Sequence, residues 1–183
     1  MSMRNSISRR GRAERTRQQL LRAFVELVVS RGSTEIPPAE VAARAGVGRS
    51  TLYTHFGGRM ELLEASLAGP CSALAASARA GSASSDLLPL LQHLRSQSAR
   101  NRVLFRDPIY SLWAKCLARA ISASLRQDSN HVRRRPSIPR QLLAPVVAEV
   151  QLAIIRCWLV DPSAVSTEAV AETLTSSTQR LLG

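Results

Sequence analysis

From Ala13 onward, Leu20, Leu21, Phe24, Leu27 and Val28 recur at spacings of one, three and four, one apolar stripe on a helix that stops at Arg31-Gly32. Ile36-Pro37-Pro38 then sets an extended entry and places proline at the start of a second helix, Pro38 to about Ala45. Gly46 offers the left-handed conformation of a sharp turn, Val47 is expected to drop into the core, and Leu52 and Phe56 continue the buried face of a third helix. Arg49, Ser50, Tyr53 and Thr54 are left facing outward. Two helices across a glycine turn, the second with an exposed polar face, form the shape that fits the DNA major groove.

Gly57-Gly58 breaks the chain, and Arg59 to Leu67 restarts as helix with Leu62, Leu63, Ser66 and Leu67 inward. Gly69-Pro70 is expected to kink or end it, and Cys71 to Ala80 to resume it up to Gly81. A polar loop follows, with Asp86 as N-cap of the stripe Leu87, Leu88, Leu91 and Leu94. Arg100 to Arg106 is a basic stretch, and Asp107-Pro108 opens a helix reaching about Arg126. Gln127 to Pro139, with Arg133-Arg134-Arg135, is the longest loop. Leu142 to Trp158 is the most hydrophobic helix; Asp161-Pro162 closes it, and Ser166 opens a last one carrying Val170, Leu174 and Leu181. The pattern predicts eight or nine helices without internal repeat: residues 1–12 a disordered basic arm, 13–57 a helix-turn-helix domain and 58–183 a helical remainder.

Composition supports an all-α fold. Of 183 residues 45% are hydrophobic but only 4% aromatic, so Leu, Val, Ile and Ala must build the core. The net charge of +12 suits a polyanionic partner, although the near-exclusive use of Arg, with Lys115 the only lysine, reflects mainly GC-rich coding. Cys71, Cys116 and Cys157 lie far apart in the sequence with no chelating or redox pair, and read as small core residues in a reducing, cytoplasmic compartment. The basic N-terminus lacks an apolar signal core, and Glu149 and Arg156 interrupt the most apolar stretch, so no membrane association is expected. An enzyme finds little support: there is no nucleophile elbow, phosphate-binding glycine loop or metal-ligand spacing, and no cofactor is implied.

The first 67 residues resemble the TetR/AcrR family of one-component transcriptional regulators. The resemblance rests on Ala23-Phe24 with the Arg31-Gly32 end, Val41 to Val47, Thr51-Leu52-Tyr53-Thr54-His55-Phe56, and Arg59-Met60-Glu61-Leu62-Leu63, in order and in register. It implies an N-terminal three-helix reading head, a C-terminal helical ligand-binding and dimerisation domain, and a homodimeric repressor released from a palindromic operator by a small-molecule effector.

Arg49 opens the recognition helix, where a guanidinium can pair with guanine, and Ser50 and Thr51 are short enough to let the helix end approach base edges. Thr54 is a further reader, and the resemblance implies DNA contacts for Tyr53 and His55 and a phosphate contact for Arg59. Four departures stand out. Gly48 replaces the usual Ser N-cap, Pro37-Pro38 replaces Thr and an aliphatic residue, Ala39 replaces Arg, and Ser50 replaces Gly or Pro. Compensation is expected from Arg9, Arg10 and Arg12, with Arg15 and Arg17 beside them, reaching a narrow minor groove.

The C-terminal 116 residues echo the family more weakly. Leu91, Leu94, Phe105, Tyr110, Trp113, Cys116 and Trp158 are the effector-pocket candidates, and Val147, Val150, Ile154, Val170 and Leu174 those for a dimer interface. The competing reading is a helical module that binds nucleic acid through bulk charge, with no effector.

Overall fold

The computed structural model describes residues 2–79, 81–127 and 138–183, and side chains for these except residues 2–10, 99, 100, 102 and 103. The Arg133 to Arg135 loop and the side chains of Arg9 and Arg10 thus lie outside the described residues. The described residues form helices joined by turns, with no strand among them: α1 (Ser2–Arg31), α2 (Pro38–Arg44), α3 (Arg49–His55), α4 (Arg59–Ala76), α5 (Leu88–Ser96), α6 (Ser98–Asn101), α7 (Ile109–Gln127), α8 (Arg140–Trp158) and α9 (Thr167–Leu182). Short 3-10 turns at Ser84–Leu87 and Arg102–Phe105 precede α5 and α7. Contacts divide the chain into two compact units, residues 1–66 and 67–183.

In the first unit Leu20, Phe24 and Val28 of the predicted stripe are at most 2% exposed, whereas Leu21 and Leu27 are only half-buried. Gly32, at φ 65°, ends α1 by donating to the Val28 carbonyl at 2.9 Å. Pro38 opens α2, as its fixed φ and missing N–H allow. At the other end of α2, Gly46 adopts φ 66° and donates to Ala43 at 3.1 Å, while Val47 donates to Ala42 at 3.0 Å. That pair of bonds is a Schellman stop, and it fixes the turn into α3. Val47 itself is only half-buried, whereas Leu52 and Phe56 are at most 1% exposed.

Helix α1 begins at Ser2, so the expectation of an irregular arm is corrected: residues 2–12 continue the helix. Gly11 costs about 1 kcal/mol there, but its neighbours are tolerable helix formers, and extending an existing helix needs no new nucleus. Helix α4 also departs from expectation, running unbroken through Gly69-Pro70 and ending at Ala76. Leu67, Cys71, Leu74 and Ala75 fall on one buried face of it, and their burial offsets the roughly 3 kcal/mol that an interior proline costs. The boundary between units falls at Ser66, beyond the predicted Gly57-Gly58, because Leu62 and Leu63 are buried outside the C-terminal core.

The second unit is built on α8, which packs against both α7 and α9. By length and composition α8 is apolar enough to cross a membrane, yet its inner face, Val147, Ala148, Leu152 and Ile155, is core. Gln151 lies fully buried on that face; its amide donates to Ser77 Oγ at 2.9 Å and Thr178 Oγ1 at 2.8 Å, and its Oε1 has no partner among the described residues. Ser166 caps α9 as expected, its Oγ accepting from the Ala169 N–H at 3.2 Å. Asp86 is no cap: it lies inside the 3-10 turn that precedes α5.

Burial also sorts the C-terminal candidates. Leu91, Leu94, Trp113 and Trp158 are core, while Phe105, Tyr110 and Cys116 pack against it. Trp158 Nε1 donates to the Val165 carbonyl at 3.0 Å, and Tyr110 donates its hydroxyl proton to Glu149 at 2.5 Å. Burial and the Glu149 carboxylate push the Tyr110 phenol up to about 12. Of the interface candidates, Val147, Val170 and Leu174 are consumed by the unit's own core, leaving Val150 and Ile154 half-buried. Cys157 is exposed rather than a core residue. Cys71 and Cys116, distant in sequence, come close enough that burial and the neighbouring thiol push Cys71 up to about 12.

Candidate nucleic-acid interface

Helix α3 advances about 100° per residue, which places Arg49, Tyr53, Ser50 and Thr54 within an arc of about 140°. All four are exposed, Tyr53 at 58%. Outside that arc Leu52 is fully buried, and Thr51 and His55, between it and Thr54 around the helix, are half-buried. The fold thus gathers four of the six α3 candidates on one solvent face and turns Thr51 and His55 partly inward. Thr54 Oγ1 donates to the Ser50 carbonyl at 2.9 Å, which leaves its methyl and oxygen lone pairs for a partner.

The ends of α3 are held unequally. Gly48 is its N-cap and supplies no side-chain hydrogen bond, as the sequence predicts. At the C-terminus, Arg17 Nη1 donates to the His55 carbonyl at 3.2 Å, with its guanidinium 4.4 Å from the centre of the Phe56 ring. Arg17, expected beside the arm's arginines, is therefore a half-buried cap on α3. A signal was present in the sequence. Arg17 precedes Leu20 by three positions and Phe24 by seven, so helical spacing puts it on the buried stripe of α1.

The other basic groups divide between paired and open. Arg59, at the start of α4, forms an ion pair with Glu35, a partner that no spacing in the sequence indicates. Arg44 pairs with Glu26 at 2.8 Å and Arg31 pairs with Glu40, both joining α1 to α2. Arg15 Nε donates to the Gly11 carbonyl at 3.1 Å along α1. Arg12 is exposed on α1, and Arg49 has no ion-pair partner among the described residues. Glu61 Oε2 accepts from the Gly57 N–H at 2.6 Å and secures the entry to α4.

Two helices joined by a Schellman turn, the second presenting Arg, Ser, Tyr and Thr to solvent, define a DNA-binding helix-turn-helix protein. Residues 20–66 match the family model described as bacterial regulatory proteins, tetR family. Over 56 residues the chain is 41% identical to the HTH-type transcriptional regulator SrpR of Pseudomonas putida, a stretch covering 31% of this chain and 26% of that protein. It is 39% identical over 56 residues to the HTH-type transcriptional regulator TtgW, also of Pseudomonas putida, covering 31% of this chain and 42% of that one. The matched stretch thus spans less than half of either relative.

The whole-chain fold is shared with a TetR regulator from Streptococcus agalactiae, at TM-score 0.58 and 19% identity over 94% of this chain and 98% of that one. NalD of Pseudomonas aeruginosa gives TM-score 0.51 and 22% identity over 92% and 96%. The first unit thus carries a helix-turn-helix segment of the tetR type, and the chain as a whole shares the fold of solved TetR regulators.

Proposed function

We propose that the protein is a homodimeric repressor that reads a palindromic operator in the cytoplasm and leaves it when a small molecule binds the C-terminal unit. The observation that carries the DNA half is the exposed arc of Arg49, Ser50, Tyr53 and Thr54 on a helix whose opposite side is core. An Arg at the start of such a helix can donate two hydrogen bonds to one guanine, worth about 1–3 kcal/mol of discrimination. NalD, which shares the fold, is the secondary repressor of a multidrug efflux pump in its own organism.

Dimerisation is supported by the flank of α8 formed by Val146, Val150 and Ile154, four residues apart and left half-buried by the protomer's own core. An effector site is supported by Trp113 in the C-terminal core. Its indole N–H is buried without a hydrogen-bond partner among the described residues, a donor that an acceptor on a ligand would satisfy.

The test is selection of duplexes from a random pool by the intact protein, followed by affinity measurement at fixed salt for Arg49→Ala and Tyr53→Ala. Each substitution is expected to lower preference for the selected duplex by about tenfold. Unchanged preference in both would reject the reading head. Ile154→Glu, examined by sedimentation, is expected to yield monomer; a variant that stays dimeric moves the interface elsewhere.

A further inference from the structure

Helix α3 has seven residues, well short of the length at which an isolated helix holds together in water. Its orientation must therefore come from tertiary contacts: the buried Leu52, the turn and packing that join it to α2, and what grips its C-terminal end. The N-cap, Gly48, contributes no side-chain bond. The C-terminal grip is Arg17 of α1, which reaches the His55 carbonyl at 3.2 Å and stacks 4.4 Å from the Phe56 ring centre. His55 is the last residue of α3, so its carbonyl is an orphan acceptor at the negative end of the helix dipole, where a cation is favoured. Phe56 is 1% exposed, so the ring under the guanidinium is itself anchored in the core.

We propose that Arg17 is a positioning residue for DNA recognition. It clamps the C-terminus of α3 to α1 and so sets the angle at which Arg49, Ser50, Tyr53 and Thr54 meet the groove, without touching DNA itself. Its Nη1 is spent on the His55 carbonyl and its face on the Phe56 ring, so swinging the guanidinium out to a phosphate would forfeit both contacts. Losing the clamp frees a two-turn helix to fray and tilt, which degrades base reading while leaving the phosphate-binding charges in place. The proposal rests on α3 being the recognition helix.

The experiment compares wild type with Arg17→Gln, Arg17→Lys and Phe56→Leu by amide hydrogen exchange, thermal melting, and binding to both the duplex selected by wild type and a random duplex across a salt series. In Arg17→Gln the amides of Tyr53 to Phe56 are expected to exchange about tenfold faster while those of α2 hold, and preference for the selected duplex is expected to fall about tenfold. The salt slope should stay unchanged. Arg17→Lys keeps the charge and one donor, so it should recover at least half of the logarithmic loss, and Phe56→Leu should shift exchange and preference in the same direction by less.

Equal weakening on both duplexes with the slope reduced by about 0.9 would make Arg17 a phosphate ligand and overturn the proposal. Unchanged exchange in α3 would overturn it as well. If Arg17→Gln fails to melt cooperatively, Arg17→Lys and Phe56→Leu carry the same readouts. If wild type enriches no duplex, the recognition reading fails by itself, and the exchange measurement still decides whether Arg17 holds α3.

Discussion

Gly48 sits at φ −70° and ψ 152°, backbone angles that any residue adopts at an N-cap. A Cβ placed there would meet only Ser50 Oγ at 3.7 Å and Thr51 Oγ1 at 3.8 Å, ordinary contacts. Gly48→Ser is therefore expected to stabilise α3 by a few tenths of a kcal/mol, read as a rise in melting temperature of about 1 °C. Arg59 presents the opposite case, a cation expected to meet phosphate but already engaged by a carboxylate. Its partner Glu35 is 71% exposed, so the pair is worth less than about 1 kcal/mol, and a phosphate can displace it. Glu35→Gln should tighten binding to selected and random duplexes alike by up to about fivefold, measured by titration at low salt. A gain confined to the selected duplex would place Glu35 at a base-reading position.

Two of the described helices run through a proline, α8 at Pro145 and α4 at Pro70, and in α4 the adjacent Gly69 opposes continuity as well. Pro70 cannot donate to the Ser66 carbonyl, and the boundary between the two units falls between Ser66 and Leu67. Restoring that donor with Pro70→Ala recovers about 3 kcal/mol of helix cost and forfeits up to about 1 kcal/mol of restriction on the unfolded chain. A net gain of about 2 kcal/mol is expected in urea unfolding. No gain would mean that the ring's packing compensates for the lost bond. In α1 and α3 the short-range pattern and the fold agree, because Leu20, Phe24, Leu52 and Phe56 each have one apolar side to bury. In α8 the pattern was ambiguous: apolar residues surround the helix, so spacing alone could not separate Val147, which is core, from Val150, which is half-buried.

Within the C-terminal unit, stability rests on an aliphatic core closed over one polar cluster, Gln151 with Ser77 and Thr178. Gln151→Ala removes the donor from two buried hydroxyls and leaves a cavity, so a loss of about 2–4 kcal/mol is expected in thermal or urea unfolding. A loss below about 1 kcal/mol would mean that water fills the site and replaces the amide. The sequence by itself determined the all-helical class, the glycine turn at Gly46, the uncapped Gly48 and the outward set Arg49, Ser50, Tyr53 and Thr54, since periodicity and turn chemistry act over a few residues. Only the tertiary structure decided that Arg17 grips the end of α3, that Glu35 holds Arg59, and that Val147, Val170 and Leu174 are spent on the protomer's own core. Those contacts join residues far apart along the chain, and local spacing carries no information about which distant groups share a carbonyl, a charge or a core.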